Sequence, residues 1–205
     1  VRFNISLNGG KRLKVLVACE YSGAVRDAFI ANGHDAMSCD LLETEQTGPH
    51  YQGDVMDIVG NGWDLMIAHP PCTVLTRAGA RWWKGREHEQ KEALDFVRSL
   101  LAAPIPMIAL ENPPGAIGTN VRKADQYIQP WEHGHPEKKM TGLWLKGLPK
   151  IKPSFDVTDE MLALQEKERS RCHYAAPGPN RWKERSRTYT GIAKAMADQW
   201  GSIAI

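Results

Sequence analysis

With 205 residues, 42% of them hydrophobic, the chain is long enough to bury one α/β core and too short for two comfortable domains, so a single domain over 1–205 is expected. A formal charge of +2 leaves nucleic-acid binding to be decided by local clusters, since a dedicated binder often carries a stronger basic excess. Four widely spaced cysteines (Cys19, Cys39, Cys72, Cys172) without a CxxC pair argue against a disulfide framework or a zinc site and for a reducing cytoplasm, and neither a signal peptide nor a run of roughly 18 apolar residues is present to suggest export or a membrane span.

Residues 12–19 carry Leu13, Val15, Leu16, Val17 and Ala18 and read as a buried first strand. Glu20-Tyr21-Ser22-Gly23 then forms a turn that opens a helix. In such a strand–turn–helix unit the free N–H groups at the helix start face a ligand; a plain βα turn is the alternative. Asn32-Gly33 stops the helix, and residues 34–40 read as the second strand. Asp40 lies at its carboxyl end, where α/β cofactor domains place an acid for ribose hydroxyls. Residues 44–53 read as a loop leading to Asp54-Val55-Met56-Asp57, in which Asp57 is either a helix cap or a ligand contact.

The run Leu65-Met66-Ile67-Ala68 is a buried strand that ends abruptly in His69-Pro70-Pro71-Cys72, because proline offers no N–H to a sheet ladder and holds the preceding residue extended. A second strand repeats this grammar with a carboxylate: Ile108-Ala109-Leu110-Glu111-Asn112-Pro113-Pro114-Gly115. Between them, residues 73–86 mix Arg77, Arg81, Trp82, Trp83, Lys84 and Arg86. This composition suits a lid or phosphate contacts; the alternative is that both tryptophans cover the core. Residues 87–102 follow with helical spacing of Ala93, Leu94, Val97, Leu100 and Leu101.

Gly142-Leu143-Trp144-Leu145 reads as a further strand, with Lys139 just before it. His133 and His135 stand in a Gly/Pro loop without a matching acid–histidine cluster, so no metal is expected. Residues 149–179 are irregular around one helix at 158–169, expected to be capped by Thr158, and a basic segment holds Arg181, Lys183, Arg185 and Arg187. The last helix, residues 192–200, packs on Ile192, Ala195, Met196 and Trp200.

A thiol and a carboxylate delivered by neighbouring strand ends suit one reaction class: a thiolate adds to an electron-poor ring carbon while the acid hydrogen-bonds the ring nitrogen. Here the sequence resembles the cytosine-5 DNA methyltransferases. Their Pro-Cys motif is similar to Pro71-Cys72, their Glu-Asn motif to Glu111-Asn112, and their late Gly-x-Pro-Gln-x-Arg-x-Arg motif to Gly134-His135-Pro136-Glu137-Lys138-Lys139-Met140-Thr141, in the same order. The resemblance implies a Rossmann-like S-adenosylmethionine-dependent methyltransferase fold, with a mostly parallel central sheet and helices on both faces. It implies a nucleophile in Cys72, a ring-nitrogen partner in Glu111, a supporting Asn112, and Lys139 near a flipped base. For S-adenosylmethionine it implies Glu20, Ser22 and Gly23 at the methionine end, Asp40 at the ribose, Asp54 and Val55 at the adenine, and Pro70 beside them.

Three departures stand out. The usual Phe-x-Gly-x-Gly of the first turn is absent, Thr73 replaces the Gln after the nucleophile, and Lys139 and Thr141 replace the two late arginines. A lysine keeps the charge and loses the bidentate fork. Family members also carry a target-recognition domain where only residues 149–188 stand here, as in small phage-like members. The expected partner is double-stranded DNA, contacted by Arg77, Arg81, Trp82, Arg86, Arg185 and Arg187. The competing expectations are the same chemistry on RNA or a free nucleotide, and a non-catalytic α/β binding protein.

Overall fold

The expected strand–turn–helix unit forms from Lys14–Ala18 (β1) and Ala24–Ala31 (α1), followed by Asp35–Asp40 (β2), in a computed structural model that describes residues 11–179 and 181–203. The remaining strands are His50–Gln52 (β3), Leu65–Ala68 (β4), Met107–Asn112 (β5), Gln126–Ile128 (β6) and Thr141–Lys146 (β7). They form one seven-stranded sheet in the order β3-β2-β1-β4-β5-β7-β6. Strands β3, β2, β1, β4 and β5 run parallel, and β7 is antiparallel to both β5 and β6. This is a mostly parallel α/β sheet with helices on both faces, in agreement with the fold class read from the sequence.

The central strands are apolar at nearly every position because both faces are covered. Val15, Val17, Leu65, Ile67 and Ala109 point to the face closed by α1 and Thr190–Trp200 (α8), where Val25, Phe29, Met196 and Trp200 meet them. Leu16, Ala18, Met66, Ala68, Ile108 and Leu110 point to the opposite face, closed by Glu87–Leu101 (α2) and Ala116–Asn120 (α3). The fully buried Trp144 and Trp200 each donate an indole N–H, at 2.7 Å to the Arg122 carbonyl and at 3.0 Å to the Pro149 carbonyl. Among the described residues, no helix is long and apolar enough to cross a membrane.

Three expectations need correction. The stretch read as a loop at 44–53 contains β3, a three-residue edge strand without an apolar alternation to reveal it. After it, Asp54 caps a short 3-10 turn, Val55–Asp57, by accepting the Met56 N–H at 2.9 Å, while Asp57 accepts the Tyr51 hydroxyl at 3.1 Å. The helix expected at 158–169 is broken by extended backbone at Leu164 and Gln165 into Thr158–Ala163 (α4) and Glu166–Arg169 (α5), with Arg171–Tyr174 (α6) following. Its N-cap position is Val157, without a side-chain hydrogen bond, and Asp156 just before it accepts both the Thr158 N–H at 2.8 Å and the Thr158 hydroxyl at 2.6 Å, so Thr158 is a donor rather than the cap. The basic segment forms Arg181–Ser186 (α7).

Candidate active site

A cleft runs over the carboxyl ends of β1, β2, β4 and β5, where open α/β sheets take their ligands. Its first wall is made by the turn after β1. Cys19 adopts φ 59°, a left-handed conformation uncommon outside glycine. The buried Glu20 carboxylate then accepts the Val25 N–H at 2.7 Å and the Arg26 N–H at 3.3 Å, together with the Ser22 hydroxyl at 3.2 Å. Glu20 thus caps α1, satisfying amides that a helix start leaves without partners. Gly23 is required here: its φ is 76°, and a Cβ would fall 2.5 Å from the guanidinium of Arg26. Arg26 is fully buried and donates to Ser38 Oγ at 3.1 Å, Thr44 Oγ1 at 3.2 Å and the Gln46 carbonyl at 3.1 Å, which pins the loop after β2.

Beside this turn lies a cavity of about 240 Å³ whose walls include Cys19, Asp40, Leu41, Asp54, Val55 and Phe96. Asp40 and Asp54 hold it open from the ends of β2 and β3, with Asp40 accepting the Leu42 N–H at 3.0 Å. Pro71 lines the cavity; Pro70, the proline expected there, is buried and offers its carbonyl to Asn112 instead. The Cys39 thiol is pushed up to about 12 by burial and by the charges of Asp40, Asp54 and Asp57, and Cys19 is raised in the same way. Both therefore stay protonated at neutral pH.

The second wall holds Cys72 and Glu111. Two ties lock their loops together. Asn112 Nδ2 donates to the Pro70 carbonyl at 2.8 Å, and the segment after Cys72 pairs with the loop after β5 through Arg77 N–H to the Pro114 carbonyl at 2.9 Å and Ala116 N–H to the Leu75 carbonyl at 2.7 Å. Gly115 makes this approach possible, because a Cβ there would lie 1.8 Å from the Leu75 carbonyl oxygen. The Cys72 carbonyl accepts the Leu75 and Thr76 N–H groups at 3.0 and 2.9 Å, fixing Cys72 at the head of a turn.

Glu111 pairs with His69, which the sequence reading did not single out: Nδ1 and Oε2 are 3.1 Å apart. Burial alone would lower the pKa of His69, but the hydrogen bond and charge of Glu111, with the charge of Glu20, raise it. Burial would raise Glu111, but His69 first and Lys139 next bring it below the ordinary carboxyl range, helped by the fully buried Thr141 hydroxyl. Each partner thus favours the charged form of the other. Burial and the charge of Glu111 raise the Cys72 thiol, while Lys139 and Arg185 pull it back. Around this cluster, His69 Nε2, Asn112 Oδ1 and Arg185 Nε are buried without hydrogen-bond partners among the described residues.

The basic segment folds over the cleft as a strap. Tyr21 of the first turn shares its hydroxyl with the Lys183 carbonyl at 2.9 Å and Ser186 Oγ at 3.0 Å, and its ring lies 5.8 Å from that of Trp182. Arg187 forms a two-pronged pair with Glu45, both contacts 2.8 Å, and its carbonyl accepts Lys139 Nζ at 3.2 Å. Of the cations expected to contact phosphates, Arg187 is engaged by Glu45, Arg86 pairs with Glu89 through its Nε at 3.0 Å, and the charge of Arg185 acts on Cys72. Arg77 and Arg81 are exposed, and the side chain of Trp82 lies outside the described residues. Cys72, Glu111, Asn112, Lys139 and Arg185 are thus brought together with His69 and Thr141, and Asp40, Asp54 and Val55 line the adjoining cavity. A histidine three residues before a cysteine at a buried strand end was the available signal for His69. Among the described residues, no group of His, Cys, Asp and Glu side chains is placed to hold a metal ion.

No protein-family model matches the chain, and the comparison with curated proteins found no relative. Among solved structures the chain is similar to the Entamoeba histolytica methyltransferase EhMeth, with a TM-score of 0.50 and 15% identity over 83% of this chain and 62% of that one. The chain therefore spans less than two thirds of that structure's length. At this identity the likeness concerns the fold, and together with the strand order it establishes a Rossmann-like fold shared with a methyltransferase.

Proposed function

We propose that the protein is an S-adenosylmethionine-dependent methyltransferase acting on carbon 5 of cytosine in DNA. The observation that carries this reading is the rigid pairing of Cys72, at the end of β4, with Glu111, at the end of β5, beside a cavity framed by Asp40 and Asp54. S-adenosylmethionine supplies an electrophilic methyl group on a sulfonium. The residues fit it: Asp40 offers a carboxylate to ribose hydroxyls, Val55, Leu41 and Phe96 offer apolar walls to a purine, and Ser22 and Gly23 belong to the turn at the methionine end. Glu20 acts there by holding that turn.

On the substrate side Cys72 adds through sulfur to carbon 6, Glu111 binds the ring nitrogen and the exocyclic amine, and Asn112 keeps the two loops in register. Lys139 and Arg185 favour the thiolate and can donate to a ring carbonyl. A base inside a duplex is shielded by stacking, so the target must be flipped out. The exposed Arg77 and Arg81 supply the contacts to a DNA backbone, and residues 149–188 serve as a short target-recognition region. One observation favours a second reading, the same chemistry on a free nucleotide: the strap closes over the cleft, with Arg187 paired to Glu45 and Arg185 Nε buried. Incubation with labelled S-adenosylmethionine and, separately, duplex DNA, RNA and dCMP decides. Label on duplex cytosine is expected, and label on dCMP alone selects the second reading.

A further inference from the structure

We propose that His69 is a positioning residue that shares with Glu111 the proton a pyrimidine ring nitrogen takes up when Cys72 adds to the ring. The inference rests on the cytosine chemistry proposed above. The position of His69 is over-determined. Its backbone N–H donates to the Ala18 carbonyl at 2.9 Å, continuing the β4 ladder by one residue, and Pro70 restricts it to extended backbone. Its ring is therefore fixed between Glu111, 3.1 Å from Nδ1, and a small cavity bounded by Tyr21, Ser22, Ser186 and Thr188. The Nε2 atom is buried without a partner among the described residues. A buried polar atom of this kind is costly unless a ligand or function compensates it.

Three charges face the ring: Glu111 from β5, Glu20 from the turn after β1, and Lys139 from the segment before β7. Against burial and Lys139, the hydrogen bond and charge of Glu111 with the charge of Glu20 favour the imidazolium, and His69 in turn favours the carboxylate form of Glu111. A carboxylate has no proton of its own to give. Nδ1–H lies on the far side of Glu111 and provides one.

The step balances as follows. Cys72 first releases its thiol proton to water at the cleft mouth, and the thiolate electron pair forms the S–C6 bond. The C5=C6 π pair moves between C5 and C4, and the C4=N3 pair moves onto N3. N3 takes a proton through Glu111 as His69 Nδ1 passes its own to Oε2, leaving a neutral imidazole. After C5 has accepted the methyl group and released its proton to water, the pairs return, N3 gives its proton back to the Glu111–His69 dyad, and the thiolate leaves. One proton is released overall.

Two measurements test this. In the first, His69 is titrated by NMR in isotope-labelled full-length protein, without substrate. The imidazole is expected to titrate above the ordinary value of about 6.5 and to move downward in Glu111→Gln. Identical titration in both proteins, or a neutral ring at pH 6 in the wild type, would overturn the dyad whatever the substrate is. In the second, methyl transfer to cytosine is followed against pH in His69→Asn, whose amide keeps an N–H donor near the position of Nδ1. The rate at pH 8 should fall about 100-fold or more, and the falling alkaline limb should move toward acid, with S-adenosylmethionine affinity unchanged. A wild-type rate and limb in His69→Asn would overturn the role. A dyad that titrates as expected in a protein that methylates no cytosine would instead overturn the function reading, and with it the reaction role of His69.

Discussion

The two walls of the cleft treat their acids differently. On the β1–β3 side, Glu20, Asp40 and Asp54 each accept backbone N–H groups from their own turns. On the β4–β7 side, Glu111 is paired with a side chain, and His69 Nε2, Asn112 Oδ1 and Arg185 Nε are buried without partners among the described residues. An acid answered by its own turn shapes a surface and changes little when a ligand arrives. An orphaned buried group carries a desolvation cost that a ligand or a transition state relieves. Under the proposed function the first wall binds and the second reacts, and substitutions should separate them.

The largest effect is expected at Glu111. Glu111→Gln should lower methyl transfer by about 10²–10⁴-fold while S-adenosylmethionine affinity by calorimetry stays within about twofold. Asp40→Ala should do the reverse, weakening the cofactor by roughly 1.5–3 kcal/mol and leaving the rate at saturating cofactor nearly unchanged. If both substitutions reduce rate and affinity alike, the division between the walls is lost.

Arg185→Met sharpens the contrast from the reacting side. It removes a cation that holds down the Cys72 thiol, so alkylation of Cys72 by iodoacetamide at pH 8 should slow several-fold, whereas Arg187→Met should leave it unchanged. The strap contributes least. The Arg187–Glu45 pair is partly exposed, so Glu45→Gln should cost no more than about 0.2–1 kcal/mol, seen as faster proteolysis between α7 and α8.

The ion pair gives a pH signature of its own. Glu111 is depressed in the folded protein, so its contribution is present above the unfolded carboxyl value of about 4.3 and is lost as pH falls through the folded value. His69 is raised, so its contribution is full below about 6.5 and is lost as pH rises through the folded value. The difference in urea midpoint between wild type and His69→Asn should be greatest between these values and shrink on the alkaline side.

Much of the wall that holds Cys72 and Glu111 was legible in the sequence because proline punctuates it. Pro70-Pro71 and Pro113-Pro114 end two apolar strands abruptly, and the residues beside them, Cys72, Glu111 and Asn112, come together as the grammar suggested. The helices at α1, α2 and α8 were legible from periodicity. The short edge strands β3 and β6 were not, since three residues are too few to show a period of two. Nor were the roles of Arg185 and Arg187, because a basic run reads the same whether its cations face solvent, a partner or the protein's own acids. Only the fold, by laying α7 over the first turn, turned one of them toward Cys72 and gave Glu45 to the other. His69 was hidden for a related reason: its meaning lies in Glu111, distant in sequence and adjacent only through the β4–β5 pairing.

The central claim is that Cys72 forms a covalent bond to a cytosine ring during methyl transfer, and one measurement addresses it directly. In a sequence-randomised duplex containing 5-fluorocytosine, fluorine replaces the C5 proton that elimination must remove, so an adduct formed during methyl transfer cannot resolve. After incubation with that duplex and S-adenosylmethionine, intact-mass spectrometry followed by peptide mapping should find the wild-type protein joined to DNA through Cys72, and Cys72→Ala free of any adduct. Methyl transfer to unmodified cytosine without such an adduct, or an adduct on any other residue, would contradict the account.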